Sequence, residues 1–131
     1  IQCRFLPGLA GMAKDGKMSA SEAHTAIYTT DDPKTIKKKI NKYAFSGGQA
    51  TIEEHRKKGG VPEIDVAYQW LTFFEEDDQK LEKIYNDYKS GKLLSGELKA
   101  ILIKKLTTFL VEHQRKRELA RKKIDKFMLK V

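Results

Sequence analysis

Scarcity comes first in this sequence: among 131 residues there is one cysteine, Cys3, and there are three prolines and one tryptophan. No apolar run approaches the ~18 to 20 residues of a membrane-spanning helix. A lone cysteine excludes a disulfide framework and a cysteine-based zinc site, and fits a reducing compartment. His24, His55 and His113 are too dispersed to read as a metal-ligand set, so no metal site is expected. There is no internal repeat, no low-complexity tract and none of the strand–helix alternation that a parallel sheet needs. The chain opens on IQCRFLPGL, with neither an initiator methionine nor a signal-peptide pattern, which leads us to expect a segment of a longer protein.

What is present is charge, unevenly placed. Charged residues make up 34% of the chain and the formal net charge is +8, while a hydrophobic content of 40% suffices for one core and excludes a disordered tail. Residues 1–32 carry a net −1, residues 33–62 a net +6, residues 63–91 a net −5, and residues 92–131 a net +8. Two basic blocks around an acidic one point to a surface that faces a polyanion.

The pattern predicts mostly helix after a short prologue of turns and strand. Pro7, Gly8, Gly11 and Gly16 read as turns, and the β-branched and aromatic run Thr25 to Thr30 predicts a short strand. Asp32 followed by Pro33 starts a helix to about Tyr43, with Ile36, Ile40 and Tyr43 inward and Lys34, Lys37, Lys38 and Lys42 outward. Thr51-Ile-Glu-Glu54 is a capping box that opens a short helix ending at Gly59-Gly60. Val66, Trp70, Phe73 and Phe74, then Leu81, Ile84, Tyr85 and Tyr88, recur at helical spacing as core positions. A last helix starts near Ser95 and is expected to run unbroken to Lys130, with Leu98, Leu102, Leu106, Phe109, Leu110, Ala120, Ile124, Phe127 and Met128 as one core stripe. Lys104, Arg115, Lys122 and Lys126 align on another side of it.

The sharpest chemical feature is Lys17-Met18-Ser19-Ala20-Ser21, between glycine-rich backbone and the predicted strand. An ammonium can meet the charge developing on a departing pyrophosphate, and hydroxyls and backbone N–H groups can hold its oxygens. A solvated loop would use the same residues. Glu75-Glu76-Asp77-Asp78 reads as a wet helix junction with Asp77 or Asp78 as a cap. Lys37-Lys38-Lys39 reads as a wet helix face.

KMSAS resembles the KMSKS signature of class I aminoacyl-tRNA synthetases. The flanking text carries more: TTDDPKTIKKKINKYAFSGGQ, TIEEHRKKGG, IDVAYQWLTFFEEDDQKLEKI, YKSGKLLSGELK and the closing DKFM resemble the cytosolic eukaryotic and archaeal tryptophanyl-tRNA synthetases nearly from end to end. KYAFSGG and LTFFEEDD favour these over the tyrosine-specific relatives. The resemblance implies a mainly α fold: residues 1–32 as the last strand and loop portion of a Rossmann-type catalytic domain, and residues 33–131 as a helical anticodon-binding domain. It implies an ATP-dependent tryptophan–tRNA ligase, cytoplasmic and homodimeric, that uses ATP with Mg²⁺ to form tryptophanyl-adenylate and charge tRNA(Trp).

Carried over by position, Lys17 binds the triphosphate and stabilises the leaving pyrophosphate. Ser19 and Ser21 hydrogen-bond phosphate or order the loop, and Met18 packs beside the adenine. Ala20 stands where the general motif has its second lysine, which puts more of the charge on Lys17 and Mg²⁺. Gln49, Arg115, Arg117, Arg121 and Lys122 are the expected RNA contacts. The HIGH-type motif is absent from the sequence, so the isolated segment is expected to be inactive. Two readings compete with this one: a non-catalytic helical RNA-binding module, and a helical protein-interaction domain whose charge serves only solubility.

Overall fold

The computed structural model describes residues 4–11 and 16–129; Cys3 and Lys130 lie outside that range. Among the described residues five α-helices dominate: α1 Pro33–Tyr43, α2 Ile52–Lys58, α3 Val66–Phe74, α4 Asp78–Lys89 and α5 Ser95–Arg121. Their starts follow from the local sequence. The Asp32 carboxylate accepts the Thr35 N–H ahead of Pro33, and the Thr51 hydroxyl accepts the Glu54 N–H. Asp77 caps α4 through the N–H groups of Gln79 and Lys80. At α5 the Glu97 carboxylate reaches back to the Leu94 N–H at 2.8 Å.

α1, α3 and α5 enclose one core. Ile36 and Ile40 from α1, Val66, Ala67, Trp70 and Leu71 from α3, and Leu98, Leu102, Leu106 and Leu110 from α5 are all buried there. Leu9, in the strap formed by residues 4–11, is fully buried in the same cluster. The strap is held by Trp70 Nε1 donating to the Pro7 carbonyl at 2.8 Å and by Phe45 N donating to the Leu9 carbonyl at 2.8 Å.

Three sequence expectations fail, each for a packing reason. No strand forms over Thr25–Thr30 or elsewhere among the described residues; Ala23–Thr25 is a 3-10 turn, and the chain beyond it is extended and then turns at Thr29. That run has no ladder partner. The Thr25 carbonyl takes a single bond from Leu9 N and the Tyr28 carbonyl one from Asp31 N, while Tyr28 N donates to the Asp31 side chain and the carbonyls of Ala26 and Thr29 accept from Lys39 and Gln114. The last helix ends at Arg121, about 40 Å from its start at 1.5 Å per residue, and only a short 3-10 turn, Ile124–Lys126, follows. Past Leu110 no described residue of α5 is buried, and Gln114, which reaches the Thr29 and Asp31 carbonyls, is half-buried. Ala120, Ile124, Phe127 and Met128 are exposed rather than core, Phe109 is 56% exposed, and Lys126 leaves the cationic alignment. Phe73 is also at the surface, 41% exposed, with the Arg4 guanidinium 5.3 Å from its ring centre.

Candidate nucleotide loop and nucleic-acid interface

The KMSAS loop is tethered at both ends and open in the middle. At its base Gly8 N donates to the Gly16 carbonyl at 3.0 Å, and the strap runs so close that a Cβ on Gly8 would sit 2.7 Å from the Lys17 carbonyl oxygen. At its exit the Thr25 hydroxyl accepts from Ser19 N at 2.9 Å and donates to the Glu22 carbonyl at 2.7 Å. The Tyr28 hydroxyl donates to the Ala20 carbonyl at 3.2 Å. Met18 packs on the core, whereas Lys17 and Ser21 are exposed. The Ser19 and Ser21 hydroxyls lie 2.7 Å apart and share one hydrogen bond, which leaves lone pairs and a proton for an incoming oxygen. Lys17, Met18, Ser19 and Ser21 are thus brought together in one short loop.

Behind the loop is a latch that sequence reading missed. Lys39, counted there as part of a wet face, is half-buried: Nζ lies 2.7 Å from Asp31 Oδ2, 3.1 Å from the Ala26 carbonyl oxygen and 4.4 Å from the Tyr28 ring centre. Gln114 of α5 donates to the carbonyls of Thr29 and Asp31 at 2.9 and 3.0 Å. The segment that follows the loop is thereby pinned between α1 and α5. No local pattern reveals a contact between residues 83 or 85 positions apart.

The SGGQ turn, Ser46 to Gln49, is held from beneath by a buried carboxylate. Asp65 accepts from Gly47 N at 2.8 Å, Ala67 N at 2.9 Å, Tyr68 N at 3.2 Å and the Tyr88 hydroxyl at 2.8 Å. Tyr88 also meets Ser95 Oγ at 2.9 Å, and burial holds its phenol well above the ordinary tyrosine range. A side chain on Gly47 would strike the Val61 carbonyl. His55 is buried on the other side of the turn, with Nε2 2.9 Å from the Leu93 carbonyl oxygen and Nδ1 at the limit of hydrogen bonding to Gln49 N. Sequence reading did not single out Asp65, and its reach to Gly47 and Tyr88 leaves no local pattern.

Gln49 itself sits at an open pocket with Thr51, His55, Ser95 and Glu97, about 410 Å³ in volume. One of its amide protons already goes to the Gly59 carbonyl at 3.0 Å, which leaves the other proton and the side-chain oxygen for a ligand. Arg115, Arg117, Arg121 and Lys122 are exposed at the far end of α5, remote in sequence from this turn. Arg115 forks onto Glu112 at 2.8 and 3.1 Å, which holds the Glu112 carboxyl below its usual range. Arg121 lies 4.0 Å from Glu118. The acidic junction divides in the same way: Asp77 caps, and Glu75 pairs with Lys105 at 3.3 Å across to α5. Among the described residues no group of three or more His, Cys, Asp and Glu side chains converges as a metal site. None of their helices is long and apolar enough to cross a membrane.

Comparison with known proteins places these features. The family described as tRNA synthetases class I (W and Y) matches residues 1–111. The tryptophan–tRNA ligase of Sulfurisphaera tokodaii is 62% identical over 97% of this chain, which spans 33% of that protein. The cytoplasmic tryptophan–tRNA ligase of Saccharomyces cerevisiae is 51% identical over 98% of this chain and 30% of its own length. The tryptophanyl-tRNA synthetase structure from Giardia lamblia superposes with a TM-score of 0.83 at 52% identity, covering 88% of this chain and 28% of that one. The chain therefore spans about a third of the length of the curated relatives it matches. With a family match over most of its length, the chain belongs to the tryptophan- and tyrosine-specific class I tRNA synthetases.

Proposed function

We propose that this chain serves a cytoplasmic, ATP-dependent tryptophan–tRNA ligase, with residues 1–32 supplying its nucleotide loop and residues 33–131 its tRNA-binding helical domain. The observation that carries this is 62% identity to a tryptophan–tRNA ligase over 97% of the chain, a span that takes in the KMSAS loop. In the reaction the tryptophan carboxylate attacks the α-phosphorus of ATP. A carboxyl–phosphate bond forms, the α–β phosphoanhydride breaks, and pyrophosphate leaves with the electron pair. The acyl group then passes to a terminal tRNA hydroxyl, which releases AMP.

Three features of the loop suit that leaving group. Lys17 is exposed at the loop's open face. The Ser19–Ser21 hydroxyl pair can exchange its mutual hydrogen bond for phosphate oxygens. The Thr25 and Tyr28 contacts hold the loop's carbonyls and N–H groups in place, so little reorganisation is needed when charge develops. ATP arrives as its Mg²⁺ complex, and the metal is a partner of the substrate rather than of this chain's side chains. In the complete ligase, Lys17→Ala is expected to lower tryptophan-dependent pyrophosphate exchange about 100-fold, the cost typical of one transition-state contact, with tRNA affinity unchanged. Unchanged exchange, or parallel loss of tRNA binding, would refute the role given to Lys17.

A further inference from the structure

The helical domain carries a groove that the expected RNA contacts leave unused. It runs between α1 and α5, about 460 Å³ in volume, with Lys37 and Asn41 on one bank and Gly96, Ala100, Lys104 and Thr108 on the other. Three properties set it apart. First, no acidic residue lines it, whereas the neighbouring depressions contain Glu22, Glu97 or Glu75. Second, Lys37 and Lys104 are exposed and neither makes an ion pair among the described residues, in contrast to Arg115 and Arg121, which are matched to Glu112 and Glu118. Third, the floor is low, with Ala100 and Ile103 lining it beside Thr107 and Thr108. Gly96 has open space where a Cβ would stand, and the buried Thr107 hydroxyl has no hydrogen-bond partner among the described residues.

Two unneutralised ammonium groups on opposite banks of a shallow groove, with Asn41 on the Lys37 bank, form a seat for a phosphodiester, and the Ala100 and Ile103 floor suits the sugar. A phosphate brings negative charge to both lysines and acceptor oxygens to the Asn41 amide, and the absence of a side chain at Gly96 allows its close approach. The groove also shares Gly96 with the Gln49 pocket, so a strand with a nucleotide at Gln49 has its backbone led directly between Lys37 and Lys104.

We propose that the α1–α5 groove, through Lys37, Asn41 and Lys104, binds the sugar–phosphate backbone of the RNA whose bases are read beside Gln49. The proposal rests on the tRNA-binding reading above. It assigns affinity to α1, whereas the paired arginines at the end of α5 contribute less.

The test is tRNA(Trp) binding by the full chain, titrated with salt. Lys37→Ala/Lys104→Ala is compared with Lys57→Ala/Lys83→Ala, which removes the same charge from exposed positions outside the groove. Two lost phosphate contacts on single-stranded RNA shrink the slope of log K against log salt by about 1.4, a change the control pair does not show. Gly96→Glu is the second variant. It adds a good helix former and an acid to the first turn of α5, so thermal stability holds or rises while tRNA affinity falls at least tenfold. If the groove pair behaves like the control pair while wild type binds with strong salt dependence, the groove assignment is wrong and the tRNA reading stands. If wild type shows no salt-dependent tRNA binding, the tRNA reading fails and takes the groove with it. Equal loss in both double variants means that net charge alone acts, and it too overturns the groove.

Discussion

Asp65 stands one position ahead of a helix, and its carboxylate serves four donors at once. Two of them cap α3, one fixes the turn before Gln49, and one is the Tyr88 hydroxyl from α4. Removing a buried acceptor leaves those donors unsatisfied, so Asp65→Ala is expected to cost about 3 kcal/mol of stability in urea unfolding, against about 1 kcal/mol for an ordinary cap. Tyr88→Phe removes only one arm of the network and is expected to cost about 1 kcal/mol at neutral pH. Its pH dependence follows from burial, which raises the Tyr88 phenol in the folded state. The folded protein keeps a proton that the unfolded chain releases near pH 10. The contribution of Tyr88 is therefore complete below about pH 10 and is lost as pH rises further. Unfolding midpoints of wild type and Tyr88→Phe should converge on the alkaline side, and a constant gap would contradict the buried-phenol account. Sequence reading found Tyr88 as an apolar position and Asp65 not at all, because a carboxylate's partners across the fold leave no local pattern.

At the scale of the elements, capping chemistry was legible and packing limits were not. Asp32, Thr51 and Asp77 start helices where the sequence says they should, since a cap depends on neighbours two or three residues away. The α5 stripe was read nine residues deep, yet periodicity reports only which face a side chain occupies. It is silent on whether another element lies opposite. Burial on α5 stops at Leu110, and the described residues beyond it are exposed apart from half-buried Gln114. The stripe should divide accordingly. Leu102→Ala is expected to cost about 3 kcal/mol and Ile124→Ala less than about 0.5 kcal/mol in the isolated chain, as read by chemical denaturation. A comparable loss at Ile124 would show that the end of the stripe is packed in solution. The predicted strand failed for a related reason, because TAIYTT has strand chemistry but no ladder partner, and its carbonyls are satisfied singly, Thr25 by Leu9 N, Ala26 by Lys39 and Thr29 by Gln114.

Across the whole molecule, the +8 net charge separates from the chemistry. The loop proposed to meet ATP lies in a stretch of net −1, and the charge is concentrated on the helices. That division suits a protein that anchors a long polyanion with one part and transfers a phosphorus-bound group with another. The candidate site was legible where it is one continuous string, as in KMSAS. It was illegible where it is assembled from distant strings, as in the latch of Lys39, Asp31 and Gln114 or the groove of Lys37 and Lys104. The central claim is that this chain completes a tryptophan–tRNA ligase, and one measurement tests it most directly. The chain replaces the matching third of the Sulfurisphaera tokodaii ligase, and the folded chimera is assayed for tryptophanyl-tRNA(Trp) formation. The account predicts charging within about tenfold of the parent, abolished with pyrophosphate exchange by Lys17→Ala. A folded chimera that charges tRNA(Trp) no faster than background would contradict it.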